Sequence, residues 1–193
     1  MKSDSVTSLY ELTPSIGCCM TGRAPDGRSL VSQAREVASE YHYDYGLTIP
    51  IALLAKRLGD KAQVRTQHAG LRPMGVIVTL IGMDQNDADG QYSAQIYTID
   101  PAGWVASFYA CASGKKQAEA NAYLEKRQKE VPFSTLSEKA AAMIALSAMQ
   151  NATGMSLRAS DVEMGRCTVE HTRMLRVPDA EVEEWLTAVA ETD

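Results

Sequence analysis

Apolar positions in this chain fall into short runs and helical stripes divided by turn-forming residues, and their spacing sets most of the expected elements. Residues 16–21, IGCCMT, are closed by Gly22 and followed by Pro25-Asp26-Gly27, which reads as a buried strand and its exit turn. Leu30, Val31, Ala34, Val37, Ala38, Tyr41 and Tyr45 then recur at helical spacing. Arg28, Gln33, Arg35, Glu36 and Glu40 take the opposite face, and Gly46 is a natural stop. A second helix starts at Thr48 and Pro50, carries the stripe Ile51, Leu54, Leu58 and Ala62, and runs to about His68. In residues 71–85, LRPMGVIVTLIGMDQ, the apolar Val76, Ile77, Val78, Leu80 and Ile81 leave almost no position to meet water. This strand is therefore expected to be covered on both faces.

Beyond a polar turn at 83–91, YSAQIYTI (92–99) alternates well enough to be the hairpin partner. Asp100-Pro101-Ala102-Gly103 turns the chain into a third strand expected over 104–112. A helix is expected over 115–130. Thr135-Leu136-Ser137-Glu138 then forms a capping-box pattern before a helix so apolar all round that it should be sandwiched. Short strands at 162–170 and 174–178 flank a His-Thr-Arg turn, and Asp179 caps a last helix with Val182, Trp185, Leu186 and Val189 on one side. No repeat, low-complexity segment or linker divides residues 1–193, which read as one domain. Paired helices between antiparallel strands do not make right-handed parallel crossovers. The pattern calls for an α+β fold: two stacked antiparallel sheets between helical layers, with helices on one face of the 71–85 strand and a second sheet on the other.

Composition narrows the function classes. A chain of 193 residues with net charge −5 carries no basic footprint, so no nucleic-acid partner is expected. No apolar stretch approaches the roughly 18 residues of a membrane span, and MKSDSVTSLYEL has no apolar signal-like core, so a soluble intracellular protein without a membrane partner is expected. Cys18, Cys19, Cys111 and Cys167 lie in or beside apolar runs and read as reduced, buried thiols.

Catalytic constellations are sparse. His42, His68 and His171 lack the spacing of a metal-binding helix, and no nucleophile elbow, Walker loop or dinucleotide fingerprint is present, so no cofactor or metal is expected. Asp87-Ala88-Asp89-Gly90 looks like part of a calcium loop, but Gln85 stands where the first Asp belongs and Ile96 where the bidentate carboxylate belongs. Cys18 and Cys19 point to opposite faces of a strand and read as two packed thiols rather than a redox pair. Tyr41 and Tyr45, one helical turn apart, read as packing.

Several ordered motifs resemble a known family, the α-type subunits of the 20S proteasome. They are IGCCMTG followed by PDGR, YHYDYG with IPIALLAKRL, TQHAGLRPMGV, LIGMD, IDPAGW and YLEKR. The resemblance runs from about Ser5 to Leu186 and looks closest to members at the α1 position, alpha type-6; TQHAGLRPMGV together with DPAGW is its most specific part. It implies a four-layer αββα sandwich, similar to N-terminal-nucleophile hydrolases, and a noncatalytic structural role. Such subunits form seven-membered outer rings with other α subunits, stack on β subunits and receive a regulatory particle in ubiquitin-dependent and other protein degradation, in the cytoplasm and nucleus.

Two departures from the family pattern shape the expectation. Members of the family carry about fifty more residues before the point matching Ser5, so this chain is expected to be N-terminally truncated and to miss the first strands. It is also expected to be unstable outside the assembly. In many α subunits a lysine in the strand matching SVTSLYEL binds the terminal carboxylate of an activator; Ser8 stands there, offering a hydroxyl without charge. Gly22 and Arg23 match the rim of that pocket, and Arg23 is open to a second reading as an ordinary exposed turn residue. Catalytic β relatives use an N-terminal threonine whose own amine is the base. The nearest threonine, Thr7, is followed by Ser8-Leu9-Tyr10, so no nucleophile is expected. An active N-terminal-nucleophile hydrolase and a small-molecule-binding domain of the same fold are the alternatives.

Overall fold

A computed structural model describes residues 7–85, 90 and 92–192, which fall into two compact units. The first takes the chain up to Phe108 together with Cys167–Leu175. Its strands β1 (Leu9–Thr13), β2 (Ile16–Gly22), β3 (Val76–Gln85), β4 (Tyr92–Ile99) and β5 (Val105–Ser107) form one antiparallel sheet in that order. Helices α1 (Ala24–Tyr45) and α2 (Ile51–Gln67) are inserted between β2 and β3.

The core of this unit is one helical layer on one sheet face. Val76, Val78 and Leu80 of β3 are buried with Leu30, Val31, Ala34 and Val37 of α1 and Ile51, Leu54, Ala55 and Leu58 of α2. The alternate residues Ile77, Thr79 and Ile81 are only half-buried, so β3 is not equally covered on its two faces as its composition suggested. The opening hairpin adds β1, a strand the hydrophobic pattern did not predict; the Thr13 hydroxyl accepts from the Ile16 amide at 3.1 Å and closes its turn.

Local chemistry fixes the helix ends. Pro25-Asp26-Gly27 is the first turn of α1 rather than a separate turn, with Pro in the helix-opening position that its fixed φ suits. Gly46, at φ +70°, ends α1 as expected, its amide donating to the His42 carbonyl at 2.8 Å. Pro50 offers α2 no capping side chain. Asp84 at the far end of β3 does so instead, its two carboxylate oxygens each 3.2 Å from the Ile51 amide. The turn at Asp100 forms as expected, the Asp100 carboxylate accepting from the Ala102 and Trp104 amides at 2.9 and 2.8 Å. The third strand is shorter than predicted: β5 covers only Val105–Ser107 of 104–112.

The second unit, 109–166 and 176–193, contains α3 (Gln117–Glu130), α4 (Glu138–Thr153) and α5 (Asp179–Thr192). Its core is Leu146, Ala159, Val177, Val182, Trp185, Leu186 and Val189, so the apolar face read from α5 is the buried one. The α4 cap is Ser137, whose hydroxyl accepts from the Ala140 amide at 3.3 Å, two residues later than the predicted Thr135. Nor is α4 buried all round: Ala141, Ala145 and Met149 are exposed. Arg166 bridges the first turns of α4 and α5, bonding Glu138 and, at 2.6 Å, Glu181. The two predicted late strands shrink to β6 (Gly165–Arg166) and β7 (Leu175–Arg176), which pair with each other.

Candidate functional site

The sheet register brings Ser8, Gly22 and Arg23 to one end of the first unit. Leu9 of β1 faces Cys19 of β2, and one step outward the Ser8 carbonyl accepts from the Met20 amide at 2.9 Å. Ser8 therefore sits opposite a residue two positions before Gly22, and all three pocket candidates are exposed.

Backbone geometry at this rim is tightly specified. Gly22 has φ +141°, and a Cβ there would lie 2.2 Å from the Gly75 carbonyl oxygen, so no side chain fits. The Arg23 amide donates to that same carbonyl at 2.9 Å, extending the β2–β3 ladder one step past Gly22 and Val76. Beneath the rim lies Asp26, only 7% exposed. Its carboxylate accepts from Arg72 Nη1 at 2.7 Å, from Arg72 Nη2 at 2.8 Å and from the Gly75 amide at 3.0 Å. The Arg72 guanidinium, and then the Gly75 amide, hold the Asp26 carboxyl well below the usual carboxylate range, and the same contact raises the Arg72 pKa.

These contacts decide the chemistry the rim can offer. A bidentate guanidinium neutralises Asp26, and Arg23 is an exposed cation at the same rim. That charge suits recognition of an anionic group such as a carboxylate. Asp26 and Arg72 were not singled out by sequence reasoning as site residues: Asp26 sat in a segment read as a turn, Arg72 at the start of the 71–85 stretch read as a strand, and nothing local links positions 46 residues apart.

The other candidates take structural places. His42 Nδ1 lies 3.3 Å from the Leu47 carbonyl, His68 Nδ1 lies 3.0 Å from the Val64 carbonyl, and the His171 amide donates to the Thr168 hydroxyl at 3.0 Å. Cys18 is buried and its thiol is pushed up to about 12, chiefly by burial, which removes any thiolate at neutral pH; Cys19, Cys111 and Cys167 are not in disulfides but, unlike the expectation of four buried thiols, are only half-buried. The Tyr41 and Tyr45 rings pack at a tilt, with centroids 4.7 Å apart. The calcium-loop-like Asp87 and Asp89 lie outside the described residues. Among the described residues there is no group of three or more His, Cys, Asp or Glu that could hold a metal ion, and no helix is long and apolar enough to cross a membrane.

Comparison with known proteins gives a consistent result. A family model described as "Proteasome: Proteasome subunit" matches residues 1–167. The chain is 57% identical over 190 residues to a proteasome subunit alpha type-1 of Trypanosoma brucei brucei, covering 98% of this chain and 71% of that protein. It is 31% identical over 191 residues to a proteasome subunit alpha type-6 of Caenorhabditis elegans, covering 99% and 75%. Against a proteasome subunit alpha of Sulfolobus acidocaldarius it is 32% identical over 169 residues, covering 86% and 66%.

Proposed function

Because the chain belongs to the proteasome subunit family, among its α-type members, we propose that it acts by contact rather than by chemistry within the outer α ring of the 20S core. The observation that carries this reading is the likeness to α-type subunits along 98% of the chain. The fold is the α+β sandwich of that family, built on antiparallel sheet. In this reading the chain contacts neighbouring α subunits within a seven-membered ring, β subunits below it and a regulatory particle above it. Residues 1–193 act as one α-type domain, working in the cytoplasm and nucleus, and the subunit itself does not cut peptides.

One feature supports the noncatalytic role. The Thr7 hydroxyl is engaged with the Leu9 backbone, 3.0 Å from both its carbonyl oxygen and its amide. For regulator docking, the exposed rim of Ser8, Gly22 and Arg23 carries one cation, Arg23, suited to a carboxylate.

The test is purification through an affinity tag on this chain. Electron microscopy is expected to find the chain in one position of a seven-fold ring, and a threonine-directed epoxyketone is expected to label other subunits of the complex but not this one. An adduct on this chain, or recovery of a solitary 21.0 kDa protein from cell extract, refutes the reading. A fluorescent fusion excluded from cytoplasm and nucleus refutes the location.

A further inference from the structure

We propose that Asp26 and Arg72 are positioning residues for the docking rim: their ion pair holds the Gly22–Arg23 turn in the shape that presents Arg23 to an incoming carboxylate. This rests on the docking reading above and adds what orders the site. Exposure divides the work, since Gly22 and Arg23 face solvent while Asp26 beneath them is buried. One carboxylate collects the Arg72 fork and the Gly75 amide, which places Gly75 where its carbonyl receives the Arg23 amide at 2.9 Å. The Arg23 side chain also runs over Gly75, where a Cβ would come within 3.1 Å of Arg23 Cδ, so a side chain there would have to shift the arginine. Removing Arg72 has two consequences for an arriving anion. The segment carrying Gly75 loses its anchor, and an unneutralised carboxylate is left behind Arg23, drawing the guanidinium inward and repelling the ligand.

The test uses assembled particles in which Arg28, exposed on the first turns of α1, is replaced by a photo-crosslinking benzoyl-phenylalanine. Purified regulatory particle is the probe, and the variants are Arg72→Met, Arg72→Lys and Arg23→Ala. Native gels establish incorporation, hydrogen exchange reads the Arg23 amide without regulator, and crosslink yield reads docking. Arg72→Met is expected to speed Arg23 amide exchange and lower crosslink yield, each about tenfold. Arg72→Lys, which keeps the charge but loses the fork, is expected to fall between it and wild type, and it carries the test if the Met variant does not assemble. Arg23→Ala is expected to lose crosslinking while keeping the protection of residue 23. Wild-type exchange or wild-type crosslinking in assembled Arg72→Met particles overturns the positioning role. Absence of crosslinking in wild type, with the Arg23 amide still released by Arg72→Met, refutes docking at this rim while the ordering of the rim stands.

Discussion

Helix α2 meets the sheet by backbone-to-backbone contact, and the perturbation that probes it is Gly103→Ala. Gly103 sits at φ +90° in the turn before β5, and a Cβ built there lies 2.5 Å from the Gly59 carbonyl oxygen, 2.8 Å from Gln63 Cβ and 2.9 Å from the Gln63 amide nitrogen. Two of these atoms are helix backbone, so relief requires moving α2 itself. The positive φ costs about 1 kcal/mol for an L residue, and overpacking of a fixed contact costs about 1–3 kcal/mol. The sum is about 2–4 kcal/mol, against about 1 kcal/mol for Gly46→Ala, where φ is +70° and nothing lies within 4 Å. Hydrogen exchange of the α2 amides in the assembled particle measures the difference directly, because local opening free energy sets protection. Gly46→Ala is expected to lower protection around the end of α1 about fivefold, and Gly103→Ala to lower that of α2 by about thirtyfold or more, since about 1.4 kcal/mol is a factor of ten. Equal losses in the two variants would refute the argument, since positive φ would then be the whole cost and the helix–turn contact would be loose.

Other consequences follow from the same geometry. Gly59→Ala gains about 1 kcal/mol of helix propensity, yet its Cβ would lie 2.5 Å from Val105 Cγ2 and 2.9 Å from the Gly103 carbonyl oxygen; a net loss of α2 protection is expected, and a gain would contradict the packing. Leu54→Ala, at a fully buried site, is expected to cost about 2–5 kcal/mol and to reduce the amount of chain recovered in particles. Asp84→Ala is expected to cost about 1 kcal/mol by orphaning the Ile51 amide, while Asp84→Asn, which keeps an oxygen acceptor, costs less; α2 exchange distinguishes them. In pH the two carboxylates act oppositely. Asp26, with its folded pKa depressed, contributes stability that is fully present above the ordinary carboxylate range and lost as pH falls from that range down through its lower folded pKa. Asp84, raised by burial, binds its proton more tightly when folded, so its contribution weakens as pH rises through its folded pKa. Acidification is therefore expected to loosen the Gly75 amide, and Asp26→Asn should abolish that pH dependence.

What the sequence showed and hid follows the range of each interaction. The stripe Ile51, Leu54 and Leu58 and the stop at Gly46 were legible because periodicity and left-handed φ are local properties. Pro25-Asp26-Gly27 misled because Pro and Asp suit a turn and a first helical turn equally, and the deciding partner, Arg72, comes from another segment. LYELT places Leu9 and Tyr10 side by side and buries only Leu12, so no alternation identifies β1. In 104–112 the β-forming composition persists after the ladder ends, Ser107 facing Tyr97 being its last paired position. For α4, Ala141 and Ala145 inflated the apolar count, but alanine favours a helix without needing burial. Of the site, Ser8, Gly22 and Arg23 came from motif resemblance; the buried pair beneath them could come only from three dimensions.

The two carboxylates at the ends of β3 suggest why an exposed rim can stay ordered. At its start, Asp26 in the first turn of α1 holds Arg72 and Gly75; at its finish, Asp84 caps the first amide of α2. Each contact places a carboxylate at or near a helix N-terminus, where four backbone N–H groups lack intrahelical partners and the helix dipole favours negative charge. The residues leading into β3 and at its end thus tie down the first turns of both helices. Because Arg23 alone links the end of β2 at Gly22 to α1, that link is bounded on one side by the β2–β3 ladder and on the other by the Asp26 contact. Neither anchor needs the rim's own side chains. Arg23 is thus expected to be replaceable without unfolding the turn, whereas loss of the Arg72 fork is expected to loosen it, so the two residues are separable by experiment.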